Sequence, residues 1–297
     1  MAYRNIVIES PARISIKNDQ LMIQTDQIHS VPMEDISALL LENNRSTVTT
    51  AALSRLGQCG CVVFVCDEKH IPCAVLQPFQ QHSRCLSVLD AQIKITEPRK
   101  KQLWQSIVKA KLQNQSICLE LAKNPAAFSL RSYAARVRSG DTDNVEATGA
   151  QLYFPALFGK DFIRGQDRVE NAALNYGYAI LRGAMARHLS VYGFIPSLGI
   201  HHCNKLNGFN LADDLMEPFR PVVDQMVYIL FQEEQAFLPE HRRNLLNCLN
   251  LEVISGGQRH SVNYAMERLV QSLIRAMEEK KELLLPEMVE LKQHRYE

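Results

Sequence analysis

The 297-residue sequence predicts an α+β protein, with a small β-sandwich-like unit over residues 1–77 and a larger all-α unit over residues 78–297. Three observations predict it. Short Val- and Ile-rich runs separated by a few residues fill the first part. Long segments with apolar residues three and four apart fill the rest. The length is about twice the ~150 residues of a common domain. With 46% hydrophobic and 22% charged residues, the chain can bury a sizeable core, which excludes a disordered or fibrous protein.

Taken in order, Tyr3–Ile8 is β-rich and closes near Pro11. Arg13-Ile14-Ser15-Ile16-Lys17 alternates polar and apolar, Asn18-Asp19 supplies a turn, and Leu21-Met22-Ile23 resumes, which is a hairpin pattern. Ile28–Val31 and Ile36–Leu41 read as further strands, and Thr50–Leu56 as one helix stopped by Gly57. Cys61–Cys66 and Cys73–Leu76 complete the strands, and Pro72–Pro78 is the expected hinge. From about Ser83 the pattern turns helical, beginning with Leu86, Leu89 and Ile93. Arg99–Asn124 holds no Gly or Pro. Val169–Tyr192 aligns Leu174, Tyr178, Leu181, Met185 and Leu189 on one face, and Tyr264–Leu284 does the same with Met266, Leu269, Leu273 and Met277. The charged segment Leu285–Glu297 reads as a frayed tail.

No apolar run approaches the ~18 residues of a membrane helix, and Met1–Ile8 lacks the pattern of a signal peptide. The expectation is a cytoplasmic protein whose eight cysteines are thiols. Cys59, Cys61, Cys66 and Cys73 cluster without the paired spacing of a zinc site, and Cys61 and Cys66 bracket an apolar run where small thiols pack well. Net charge is only +1, yet the stretch from Lys94 to Arg138 holds ten basic residues against two acids, Glu97 and Glu120, with Trp104, Phe128 and Tyr133 among them. That composition predicts a surface for a polyanion.

Three islands carry residues able to hold a metal. In the first, Asp141 or Asp143 can cap a helix after Gly140, with Glu146 in its early turns. The second is a Pro/Gly loop, Pro196-Ser197-Leu198-Gly199-Ile200, followed by His201 and His202. The third places Asp214 and Glu217 three residues apart on a helix anchored by Leu211, Leu215 and Phe219, and Pro218 makes that helix irregular. Carboxylates with one imidazole suit Mg²⁺ or Mn²⁺, which favour phosphodiester chemistry beside a basic surface. Spacing alone does not bring the islands together.

These islands resemble those of the CRISPR-associated integrase, the catalytic subunit of spacer acquisition, and the resemblance spans nearly the whole chain. It is most specific in Asp214-Leu215-Met216-Glu217-Pro218-Phe219-Arg220-Pro221 and in Leu198-Gly199 followed by His202, and it is nearest the type II form. It implies that Glu146, His202 and Glu217 bind a divalent metal, Mg²⁺ or Mn²⁺, with His201 an alternative ligand. Asp214 and Arg220 would be accessory. Lys205, Asn207, Arg136 and Arg138 would contact DNA. The implied reaction inserts a short double-stranded DNA fragment into CRISPR repeat DNA by attack of a 3′-hydroxyl on a phosphodiester. No phosphate-binding Gly-Lys-Ser/Thr loop is visible, consistent with a reaction that needs no nucleotide cofactor. The implied partners are a second copy through the β-rich unit, a small companion adaptation protein and, in type II systems, an accessory adaptation protein and the guide-RNA effector. A nuclease using water and a non-catalytic DNA-binding scaffold are the competing readings.

Overall fold

The computed structural model describes residues 4–77, 85–232, 236–279 and 281–294. The expectations that fell on Tyr3, Pro78, Ser83, Lys280 and the last three residues lie outside the described residues. The chain divides into two compact units, residues 1–79 and 80–294. The α+β class holds, with the β-rich part first and the mainly helical part second.

The first unit contains β1 (Arg4–Ile8), β2 (Arg13–Lys17), β3 (Gln20–Gln24), β4 (Ile28–Pro32), β5 (Ile36–Leu41), β6 (Thr47–Val48), α1 (Thr50–Gln58), β7 (Val62–Cys66) and β8 (Pro72–Leu76). They form two four-stranded sheets, in the orders β1-β5-β7-β8 and β4-β3-β2-β6. The β2–β3 hairpin closes at the Lys17–Gln20 pair, with Asn18 and Asp19 both left-handed, as a two-residue turn of this hand requires. β5 runs parallel between β1 and β7 and is buried along its whole length, so its sequence is continuously apolar. Ile8, Ile14, Leu21, Ile36, Leu39, Leu56 and Val63 share one core drawn from both sheets and α1. Cys61 and Cys66 are buried in this unit, whereas Cys73 is exposed.

Two local expectations are corrected. Gly57 does not stop α1, which runs on to Gln58, because Gly57 keeps a right-handed backbone. Pro72 is not in a hinge: it opens β8, which pairs antiparallel with β7, a position where a missing N–H is tolerated.

The second unit contains α2 (Cys85–Lys94), α3 (Glu97–Leu121), α4 (Ala127–Arg136), α5 (Val145–Phe158), α6 (Val169–Val191), α7 (Asn210–Met216), α8 (Arg220–Leu230), α9 (Pro239–Leu246), β9 (Leu251–Ser255), β10 (Gln258–Ser261), α10 (Val262–Glu279) and β11 (Glu287–Gln293). The long α3 packs against α4, α5 and α8, and α6 packs against α7, α8 and α10. The unit is not all-α: β10, β9 and β11 make a three-stranded sheet. Nor is the segment after Leu285 a frayed tail. Asn114 of α3 holds it, donating to the carbonyls of Pro218 (2.7 Å) and Pro286 (3.0 Å) and accepting from the Met288 N–H (2.9 Å). The glutamates and lysine of β11 project outward around a buried Met288, which is why the segment reads as solvated. Among the described residues, no helix is long and apolar enough to cross a membrane.

The α6–α8 contact depends on the absence of a side chain at Gly177, where a Cβ would lie 2.4 Å from Cγ1 of buried Val223. Val223 is β-branched and cannot easily swing away. Gly177→Ala is therefore expected to lower stability by about 1–3 kcal/mol, read as a lower urea midpoint with an unchanged slope.

Candidate active site

One face of α3 carries Trp104, Val108, Lys111 and Gln115, and the Trp104 and Val108 side chains are fully buried. Lys111 reaches from this face to two glutamates. Its Nζ lies 2.6 Å from Oε1 of Glu146 and 2.6 Å from Oε2 of Glu217.

Glu146 is in the first turn of α5, whose start is fixed by Asp141: that carboxylate accepts from the N–H groups of Val145 (2.9 Å) and Glu146 (3.0 Å). Of the two expected caps, Asp141 is the one used. Gly149, one turn later, lets α5 press on α3, since a Cβ there would meet Cδ2 of Leu112 at 2.3 Å. Glu217 opens a 3-10 turn, Glu217–Phe219, between α7 and α8. Pro218 enforces this break, as its sequence position predicts. Leu211, Leu215 and Phe219 are fully buried and anchor the turn. Arg220 donates from Nε to Oε1 of Glu217 at 2.8 Å. Burial would raise the Glu217 pKa, but Arg220, Lys111 and His202 outweigh it and hold the carboxyl at about 2. Burial would likewise lower the Lys111 pKa, but Glu217 and Glu146 outweigh it and hold the ammonium above its usual value.

His202 is held by Asp214, which is completely buried. The Asp214 carboxylate accepts from the backbone N–H groups of Ile200 (2.6 Å), His201 (2.9 Å) and His202 (3.1 Å), and meets Nδ1 of His202 at 2.5 Å. Gly199 makes this possible: a Cβ there would stand 2.9 Å from Oδ2 of Asp214 and 2.2 Å from the His202 carbonyl oxygen. The His202 pKa is raised, first by the Asp214 hydrogen bond, against desolvation, and further by the charges of Asp214, Glu217 and Glu146. His201 turns elsewhere and stacks on Trp104, with ring centroids 4.1 Å apart and the planes 1° from parallel. Trp104 also meets the His202 ring edge-on.

The structure thus brings Glu146 and Glu217 to one point and sets His202 under their electrostatic influence. The expected three-ligand cluster is not closed: among the described residues, no three His, Cys, Asp or Glu side chains gather tightly enough to hold a metal. Asp214 and Glu217 do not share a target either. Asp214 is saturated by the His202 loop, so it is a positioning residue, whereas Glu217 faces Lys111. The donor set nevertheless fits a hard divalent cation. Two carboxylates already converge on a positive charge, the Lys111 ammonium, and Nδ1–H bonding to Asp214 leaves Nε2 of neutral His202 as its lone-pair donor.

Other expected residues divide in the same way. Arg220 supports Glu217, and Asn207 donates to Asp213 Oδ2 at 2.7 Å, which stabilises the loop instead of presenting the amide outward. Lys205 and Arg136 are exposed, with Arg136 also above the Tyr133 ring; Arg138 is exposed beside Asp143 at 3.4 Å. The basic excess from Lys94 to Arg138 is smaller in space than along the chain. Asp90 pairs with Lys94, Asp143 with Arg138, and the two site glutamates with Lys111.

Along the sequence Lys111 reads as one of the ten basic residues and as a member of the long helical stretch Arg99–Asn124, not as a residue of the site. Its signal was a lysine on an otherwise buried helical face. The support behind Arg220 has no signature along the chain. The Arg220 guanidinium lies over the Tyr178 ring, 4.4 Å from its centroid, and Tyr178 donates a short hydrogen bond to buried Asp224. Tyr153 donates to the other Asp224 oxygen at 2.9 Å. Burial pushes the Asp224 pKa up to about 6, against the two tyrosines, Arg220 and Arg164.

The family model for CRISPR associated protein Cas1 matches residues 6–243. The chain belongs to the Cas1 family. A relative from Neisseria meningitidis serogroup C (strain 8013), CRISPR-associated endonuclease Cas1, is 41% identical over 304 residues, covering 100% of both chains. Two solved structures share the family fold at low identity. A casposase bound to integration product has a TM-score of 0.75 and 20% identity, covering 95% of this chain and 92% of that one. The Cas1 protein from Thermotoga maritima has a TM-score of 0.72 and 14% identity, covering 95% and 99%.

Two predictions follow from the geometry. Replacing the clamp, Asp214→Asn, should lower the His202 pKa toward 6.5, which NMR titration of the ring protons checks. Asp224 has a folded pKa above that of the unfolded chain, so its contribution to stability is present at low pH and lost as pH rises toward and through 6. Relative to Asp224→Asn, the unmodified protein should lose roughly 1–1.5 kcal/mol between pH 5 and pH 7.5, measured by urea denaturation at both pH values.

Proposed function

We propose that this chain is the catalytic subunit that inserts short DNA fragments into a CRISPR array, using Mg²⁺ or Mn²⁺ held by Glu146, Glu217 and His202. The observation that supports it is the meeting of two glutamates from separate elements on one positive charge, beside a histidine oriented through Nδ1. Family membership and the casposase likeness add to it.

When bound, the ion would supply Lewis acidity, easing deprotonation of a 3′-hydroxyl and neutralising charge on the attacked phosphodiester. The residues of the chain provide the rest. Arg220 keeps Glu217 ionised and oriented, and Asp214 fixes the His202 tautomer. Lys111 neutralises the glutamates, and with a cation held by them it would be available as a positive charge for phosphate. The fragment's 3′-hydroxyl forms a new P–O bond, and the repeat strand leaves with its own 3′-hydroxyl. One phosphodiester replaces another, so no nucleotide cofactor is consumed. Water in place of the 3′-hydroxyl would give hydrolysis, the activity in the name of the Neisseria relative.

The β-rich unit is proposed to pair two copies, and Lys205, Arg136 and Arg138 to contact DNA. A Cas2-type companion is supported by the likeness to a Cas6-RT-Cas1–Cas2 complex (TM-score 0.69, 20% identity, 94% of this chain and 35% of that one). The type II assignment, with its accessory adaptation protein and guide-RNA effector, belongs to the same proposal.

The test supplies a labelled fragment with a free 3′-hydroxyl and a repeat-containing target. Joined product with Mn²⁺ or Mg²⁺ but not with EDTA is expected. Glu146→Gln and Glu217→Gln should each lower joining by at least about a hundredfold and abolish the rise in Tm that Mn²⁺ gives the unmodified protein. DNA binding should survive both changes. Unchanged joining in either variant would end the assignment.

A further inference from the structure

A cavity of about 140 Å³ opens beside Glu217, lined by Lys111, Phe154, Arg164, Tyr178, Arg220 and Asp224 among others. At about 30 Å³ per water molecule it has room for on the order of four waters, comparable to one phosphate group with its linking oxygens. Three of its lining residues are cations, and two of these are committed: Lys111 to both glutamates and Arg220 to Glu217.

Arg164 is different. Its Nη1 donates to Oδ1 of Asn171 at 2.6 Å and its Nη2 to Oδ1 of Asn175 at 3.0 Å, both neutral acceptors at the start of α6. Its guanidinium lies over the Phe154 ring (5.6 Å) and the Tyr178 ring (5.4 Å). No carboxylate of the described residues pairs with it, and the nearby Asp224 carboxylate is taken by the hydroxyls of Tyr153 and Tyr178. A half-buried guanidinium with no carboxylate in ion-pair contact, set over two rings and tethered by two amides, is preoriented and keeps donors for a further acceptor, although the Asp224 charge is felt nearby. Such a group suits the bidentate capture of a phosphate.

We infer that Arg164 is a phosphate clamp that holds a phosphodiester of the DNA strand next to the reacting linkage. The inference rests on the reading of the chain as a DNA-joining enzyme and names a substrate contact of that same site. The same Tyr178 ring lies under Arg164 and under Arg220, so the clamp is tied through one side chain to the support of Glu217.

The test reads binding, in EDTA, by fluorescence anisotropy of a labelled duplex with a single-stranded 3′ end over a series of NaCl concentrations. Arg164→Gln should weaken binding about tenfold and reduce the slope of log Kd against log[NaCl] by about one. Arg164→Lys should keep the slope and lose severalfold affinity, since a lysine keeps charge but not the fork. The unmodified protein gives a second reading. With a neutral methylphosphonate moved along the 3′ strand, one position should weaken binding about as much as Arg164→Gln does, and Arg164→Gln should be indifferent to that position. Unchanged affinity and slope in Arg164→Gln, or no sensitive position along the strand, would overturn the clamp. No metal or turnover enters these measurements, so absence of strand transfer would sink the proposed reaction and leave the phosphate contact standing.

Discussion

The Lys111 ammonium and the two carboxylates around it are the arrangement to which the rest of the helical unit is fitted. Oxygens that each lie 2.6 Å from one nitrogen are at most about 5 Å apart. At an effective dielectric of about 20, two such negative charges repel by about 3 kcal/mol. With Glu217 buried and Glu146 partly exposed, such a pair is eased by a cation between them. Glu217 is nearly fully buried, so water cannot serve instead. A lysine on the central helix answers this need.

Each contributor to that arrangement is fixed by a separate local device. Asp141 caps α5 at Glu146, and Gly149 lets α5 come close to α3. Pro218 breaks the chain between α7 and α8 so that Glu217 leaves the helical path. Asp214 gathers three backbone N–H groups and one imidazole nitrogen, which makes the His202 loop rigid although the imidazole itself stays partly exposed. Behind Glu217, Arg220 rests on Tyr178, which in turn bonds buried Asp224. Asp224, its two tyrosines and Arg220 are linked in series, and the series ends at Glu217. Such networks are worth their desolvation only when each member has a partner.

The charge pattern shows how a linear count departs from a surface. The run from Lys94 to Arg138 is strongly basic in the sequence, yet several of its cations meet acids brought in from outside the run. Lys111, the member deepest in the unit, belongs to the site. Conversely, Arg164 stands outside the run and has no carboxylate partner among the described residues. Electrostatic meaning depends on neighbours in space, and the folded chain supplies these across helices.

The sequence alone was sufficient for the α+β class, the β2–β3 hairpin, the long helices and the irregular turn at Pro218, while Glu146, His202 and Glu217 were singled out by resemblance to a family. Each of these follows from short-range rules: alternation, three-and-four spacing, turn chemistry, a proline without an N–H, or a motif contained in a few residues. The partners of those residues were decided only by tertiary structure. That Glu146 and Glu217 meet on Lys111, that Asp214 serves His202 instead of sharing a target with Glu217, and that β11 is held by Asn114 all depend on helices packing across large sequence separations. Spacing along a chain constrains neighbours one turn away. It carries no information about which lysine closes the distance between two remote carboxylates.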